Sequence, residues 1–196
     1  VSGGGVMGER RAPAQQAADP RPSGGWAPAG RQFNLTQLLV DAIPRRWAAL
    51  PALCSRDGCW NYAQLRQHVG AAAGSLARRG VRPGSYVILG IPDSREWVAL
   101  FLGAIRLGAT CAGTSPTMAP AIRYELLARL PAPITIDDPD EARAVIAGGA
   151  ADPGPAATRA DDSCYMLLTS GSTGPSKWVV HRQRDIAACI ATYGRR

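Results

Sequence analysis

The amino-acid sequence predicts an α/β fold, a three-layer arrangement in which a mainly parallel sheet carries helices on both faces. Three observations predict it. Short apolar runs recur and are bounded by glycine or proline, as strands buried on both faces are: Tyr86 to Ile91 (YVILGI), Ala109 to Gly113, Pro133 to Ile136 and Cys164 to Leu168 (CYMLL). Stretches of helical period and crossover length separate them, and strands joined that way pair in parallel through right-handed connections. The chain has 196 residues, 46% of them hydrophobic, which suffices for one core.

Residues 1 to 30 are rich in Gly, Ala, Pro and Arg without any apolar period, so a disordered tail is expected there and a folded part over 31 to 196. From Asn34 onward Leu35, Leu38, Leu39, Ala42 and Ile43 fall at helical spacing until Pro44 interrupts them. A turn-bounded pair of short segments follows around Asp57-Gly58. Leu65, Val69, Ala72 and Leu76 mark a longer helix, closed at Gly80 where a left-handed cap would sit. After the Tyr86 strand, Ser94 caps a helix to about Leu107 that buries Val98, Phe101, Leu102 and Ile105 and stops at Gly108. Pro120 starts the next helix, with Ile122, Leu126 and Leu130 on its apolar side. A Gly-, Ala- and Pro-rich connection from about Ala147 to Ala160 leads to the Cys164 strand, and Trp178 to His181 reads as a further strand.

Lys plus Arg number 22 against 15 Asp plus Glu, a net charge of +7. The basic residues are scattered and seldom flanked by aromatics, so a solvated surface is expected and no nucleic-acid partner. No apolar stretch approaches the roughly 20 residues of a membrane-spanning helix; the longest lies near Val98 to Ile105. The five cysteines are odd in number and lack C-x-x-C spacing, which points to free thiols in a reducing compartment rather than a disulfide framework or a zinc site. With no secretory leader pattern at the amino terminus, a cytoplasmic location is expected. Of the 22 basic residues only Lys177 is lysine, and a compact ammonium is not equivalent to a guanidinium at a crowded phosphate site.

That lysine ends the segment Thr169-Ser170-Gly171-Ser172-Thr173-Gly174-Pro175-Ser176-Lys177, directly after the CYMLL strand. Glycines let backbone approach a bulky anion, while amides and hydroxyls supply converging donors. The same residue types also make a plain polar turn between strands, so composition leaves both readings open. The Walker A pattern fails, because Ser176 precedes the lysine where that motif has glycine and Trp178 follows it where the motif has Ser or Thr.

The stretch YMLLTSGSTGPSKWVVH resembles the phosphate-binding signature of the adenylate-forming superfamily, roughly [LY]-T-S-G-[ST]-T-G-x-P-K-G-V-[VM]-H. That superfamily comprises acyl- and aryl-CoA synthetases, luciferases and the adenylation domains of peptide synthetases. Trp60 to Leu65 is similar to the family's T-Y-x-E-L entry to its first long helix, and Gly80 to Ala109 to its strand, turn and helix; the likeness runs from about Phe33 to Gly194. The ending His181 to Ile186, with Tyr193-Gly194, is most similar to the benzoate-CoA ligase branch.

The resemblance implies an incomplete amino-terminal domain ending just after the phosphate loop, and a two-step reaction. A carboxylic acid, an aromatic one in the benzoate-type branch, attacks the α-phosphate of Mg2+-bound ATP, and a thiol, usually that of coenzyme A, captures the acyl group. Ser170, Ser172 and Thr173 would donate hydroxyl hydrogen bonds to the β- and γ-phosphates, with Thr169 heading the loop, Gly171 and Gly174 giving clearance and Lys177 offsetting charge; no catalytic residue is expected within the chain. Two residues depart from the pattern: Ser176 replaces proline and Trp178 replaces glycine, an indole expected either to face outward or to stiffen or displace the loop. The family's acid pocket, Y-G-x-T-E segment, ribose-binding aspartate and carboxy-terminal lysine have no counterpart before Arg196, so the chain is expected to need the missing carboxy-terminal part of the same enzyme, or to be a non-catalytic nucleotide- or partner-binding remnant. His181 reads as a hydrogen-bonded structural histidine, and apolar sheet surface is expected to be exposed.

Overall fold

The computed structural model describes residues 30–56, 58–169 and 176–193. The expected tail, apart from Gly30, lies outside them.

A hairpin of β1 (Pro51–Ser55) and β2 (Gly58–Asn61) precedes α1 (Tyr62–Arg78). Asn61 caps that helix in a reciprocal box: its carboxamide accepts from the Gln64 amide, and the Gln64 side chain accepts from the Asn61 amide. Then come β3 (Tyr86–Leu89), α2 (Arg95–Arg106), β4 (Thr110–Gly113), α3 (Pro120–Leu127), β5 (Ile134–Ile136), α4 (Pro139–Ala147), β6 (Ser163–Leu168), β7 (Trp178–Arg182) and α5 (Asp185–Tyr193). Ser94 caps α2, and Gly80 and Gly108 close α1 and α2 with φ of +90° and +74°, as their placement in the sequence predicts.

The main sheet has the order β5-β3-β4-β6-β7, parallel throughout except that β7 runs antiparallel to β6. One face, carrying Val87, Leu89, Cys111 and Ile136, packs on α1, α2 and α4 through Leu76, Leu100, Ile105 and Val145. The other carries Ile88, Ala112 and Met166 beneath Leu127 of α3, Leu130 and Trp178. The connection β3 to β4 runs one way along the sheet on the first face, and β4 to β5 runs back on the second. Opposite directions on opposite faces are the same hand, as parallel crossovers require.

The segment Gly30 to Leu35 straps the far end of this body. Phe33 N–H donates to the Thr158 carbonyl at 2.8 Å, and Leu35 N–H to Gln183 Oε1 at 2.8 Å. At the end of α2 the Asn34 carboxamide donates to the carbonyls of Ile105 and Arg106, which also accept from the Gly108 and Ala156 amides respectively. Arg106, buried at 6% exposure, ties three regions together by binding Asp41 and Asp152.

Four expectations need correction. Cys54 and Cys59 are not free: they face each other across the β1–β2 ladder, Cα atoms 4.0 Å apart, and are joined as a disulfide, which removes that part of the argument for a reducing compartment. Cys111, Cys164 and Cys189 remain free. The Leu35 to Ile43 helix is wound as a π-helix over Gln37–Asp41, because Ala42 N–H reaches back to the Gln37 carbonyl. Helix α4 was not foreseen; Asp138 caps it and Pro139 opens it. On α3, Leu126 is buried, but Ile122 is 49% exposed. Apolar surface is exposed on the β6–β7 pair at Leu167, Val179 and Val180.

Candidate functional site

Strands β3, β4 and β6 run parallel, so their carboxyl ends share one edge of the sheet. The connection after β3 leaves toward one face and that after β4 toward the other, which opens a crevice between them; in open α/β sheets ligands bind at such switch points. The crevice measures about 440 Å³ and is lined by Ile91, Pro92 and Asp93, by Gly113 to Pro116, and by the Trp97 ring. Gly113 permits this wall, since a Cβ there would stand 3.1 Å from the Trp97 ring. The Thr114 hydroxyl is buried and has no hydrogen-bond partner among the described residues.

Immediately beside β4, β6 delivers Thr169 to the same edge, and the chain returns through Lys177 into β7. The two ends are pinned to each other: Thr169 N–H donates to the Lys177 carbonyl at 3.1 Å, and Lys177 N–H donates to Thr169 Oγ1 at 3.0 Å. Because Thr169 Oγ1 accepts there, its own hydroxyl hydrogen stays available to a ligand oxygen. Both residues are exposed at this edge. Ser170, Gly171, Ser172, Thr173 and Gly174 lie outside the described residues.

Trp178 neither faces solvent nor stands free. It lies half-buried on the α3 face, and its indole N–H donates to the Leu126 carbonyl at 3.2 Å. His181 stacks on Tyr165 with ring centroids 4.6 Å apart and interplanar angle 4°, its Nδ1 3.5 Å from Asp185 Oδ2. Burial, with the Asp185 carboxylate nearby, holds the Tyr165 phenol above its ordinary value. Burial likewise pushes the Cys111 and Cys164 thiols far upward, which keeps them protonated and unreactive. Among the described residues no group of three or more His, Cys, Asp or Glu is placed to hold a metal ion, and no helix is long and apolar enough to cross a membrane.

Sequence reasoning missed Asp93, Trp97, Thr114 and Ser115. Their position just past the carboxyl ends of two apolar strands was the available signal, but it becomes meaningful only once the strand order is known.

Residues 40–126 match the family described as AMP-binding enzyme. The chain is 32% identical over 162 residues to a protein of Salinispora arenicola described as a "probable non-canonical nonribosomal peptide synthetase", CymA, covering 80% of this chain and 2% of that one. Among solved structures it resembles the anthranilate CoA ligase AuaEII in complex with anthranoyl-AMP, at TM-score 0.72 and 23% identity, covering 83% of this chain and 37% of that one. A benzoate CoA ligase from Burkholderia xenovorans LB400 superposes equally well, TM-score 0.72, at 19% identity over 83% of this chain and 37% of that one. The chain thus spans a small part of the peptide synthetase and just over a third of the ligases. Over residues 40–126 the sequence matches the AMP-binding enzymes, and over most of its length the chain shares the fold of the matched part of these ligases.

Proposed function

We propose that Thr169 to Lys177 holds the β- and γ-phosphates of ATP while a carboxylic acid is adenylated, and that the residues of this loop stabilise the departing pyrophosphate rather than attack it. The observation that carries this reading is the Thr169–Lys177 pair. It roots the loop at the carboxyl edge of the parallel sheet and leaves the chain's one lysine exposed there. Ser170, Ser172 and Thr173 donate hydroxyls, Gly171 and Gly174 give the phosphates room, and Mg2+ arrives with the nucleotide, held by phosphate oxygens. ATP as substrate assigns the reaction to the cytoplasm.

In the enzyme the acyl group then passes to a thiol. The benzoate- and anthranilate-type ligases of like fold support an aromatic acid and coenzyme A. The identity to CymA supports a second reading, in which the thiol is that of a carrier-protein arm. Supplying a longer form of the protein with ATP, an aryl acid and either coenzyme A or a carrier protein distinguishes the two by which thioester accumulates.

For the 196-residue chain the test is ATP binding without turnover. Lys177→Ala should weaken ATP and tripolyphosphate binding about tenfold, the low end for a hydrogen bond to a charged group at an exposed position. No ATP–pyrophosphate exchange should occur with any acid. Equal affinity of Lys177→Ala and the wild-type chain would refute the reading, and exchange by the chain alone would refute the division of labour.

A further inference from the structure

Two residues beside Lys177 depart from the adenylate-forming pattern, and the structure relates them to each other. Proline before the lysine would fix φ near −65° and limit the paths by which the chain enters the lysine; Ser176 lacks that restraint. Glycine after the lysine would reach nothing, whereas Trp178 reaches across the sheet face to α3. Leu126 is the penultimate residue of α3, where helical carbonyls lack internal partners, so the indole N–H satisfies a group that the helix end leaves open. The ring also packs in the apolar cluster of Ile88, Ala112 and Met166 with Leu127 and Leu130. The residue that follows Lys177 is therefore held by a ladder pairing to Leu168 and by a side-chain bond to a helix on the sheet's face.

We propose that Trp178 is a positioning residue: by locking the first residue of β7 to the end of α3, it supplies the restraint on Lys177 that Ser176 gives up, so that the two departures compensate. The substitutions are then one change made in two places. This rests on the nucleotide reading for its benefit to binding, but not for the restraint itself.

Amide hydrogen exchange on the 196-residue chain reads the restraint without any ligand, through the Thr169 and Lys177 amides that close the loop's base. Trp178→Phe keeps an aromatic side chain but removes the indole N–H together with the five-membered ring; it should speed exchange of both amides at least about fivefold, the effect of losing one net hydrogen bond. Trp178→Gly should speed them more, with the Leu100 amide of α2, on the opposite face of the sheet, unchanged as the sign that the fold persists. Ser176→Pro should slow both amides, and by a larger factor in the Trp178→Gly background than in the wild type, since compensating residues are non-additive. Unaltered amides in Trp178→Phe and Trp178→Gly, or an equal effect of Ser176→Pro in both backgrounds, would overturn the proposal. ATP titration of the same four variants separates the two ideas. If the amides respond as stated while the wild-type chain binds no ATP, the proposed function falls and the anchor stands. If ATP binds but no variant shifts the amides, the anchor falls alone.

Discussion

Arg106→Met removes a guanidinium that is 6% exposed and holds together parts of the chain far apart in sequence. Its Nε and Nη2 donate to the Asp152 carboxylate at 2.8 and 2.9 Å, and its Nη1 donates to Asp41 at 2.9 Å. Methionine replaces most of the apolar stem, so the loss is electrostatic rather than a cavity. Stripping one partner from a buried ion pair costs about 3–5 kcal/mol. Asp41 and Asp152 are 34% and 37% exposed, so water takes over part of the guanidinium's role and about 2–3 kcal/mol is the expected loss. For a folded unit of this size that lowers Tm by about 5–10 °C, measurable by thermal circular dichroism at pH 7. The pH dependence carries the sign of the pair. Burial by itself would raise the Asp152 carboxyl, but the bonds from Arg106 and from the Gly154 amide outweigh it and hold the group below its ordinary 3.8. A carboxyl depressed in the folded state stabilises fully above its unfolded value and loses that contribution as pH falls through the folded one. The gap between variant and wild type should therefore shrink below pH 3.8. A Tm within about 1 °C of wild type at neutral pH, or a gap that stays constant into acid, would refute the reasoning.

His68 tests a second electrostatic feature. Its ring lies 4.1 Å from that of Trp60, and burial lowers its pKa below 6.5, with Glu96 opposing and Arg95 assisting. Stability should be full above pH 6.5 and decline as pH falls from there toward the depressed folded value; His68→Phe, which keeps an aromatic ring, should flatten that slope in a Tm series. Gly74 tests the packing of α1 on the connection to β6: a Cβ there would meet the Ala151 carbonyl at 2.3 Å and the Ala150 Cβ at 2.7 Å. Ala gains about 1 kcal/mol in helix propensity but incurs about 1–3 kcal/mol of overpacking, so Gly74→Ala should lower the urea midpoint rather than raise it. A stabilised variant would mean that the connection does not sit against α1.

The elements that could be read from the sequence were those whose signals are local. The four apolar runs became β3, β4, β5 and β6, and Ser94, Gly80 and Gly108 bound their helices because capping and left-handed stops act within a few residues. Helix α4 was also marked locally, by Asp138-Pro139 and by Ala142, Val145 and Ile146 inward, but the glycine-rich residues after it masked the pattern. Arg106 could not be read at all. A charge beside Ile105 at the end of an apolar helix reads as solvated, and its partners Asp41 and Asp152 stand 65 and 46 residues away. The Cys54–Cys59 bond required a register, not a count. The same contrast divides the site. Glycine and hydroxyl interleaving around Lys177 is visible in a line of letters, whereas the crevice of Asp93, Trp97 and Thr114 exists only because β5 crosses back past β3.

Trp178 shows why a departure from a pattern has to be judged in three dimensions. Along the sequence, an indole in place of glycine beside the one lysine reads as a ring that either faces outward or stiffens or displaces the loop, and the serine in place of proline carries no reading of its own. On the structure the side chain of residue 178 leaves the strand on the face opposite α1, α2 and α4, where only α3 covers the sheet among the described residues, and there it finds both an apolar cluster and an unpaired helix carbonyl. A helix end one sheet-face away cannot be inferred from the nine residues of the loop. Without it, the two departures look like independent damage; with it, the slack before Lys177 and the anchor after it act on the same backbone atoms, the ones that the Thr169 hydroxyl and carbonyl-bound amide already pin.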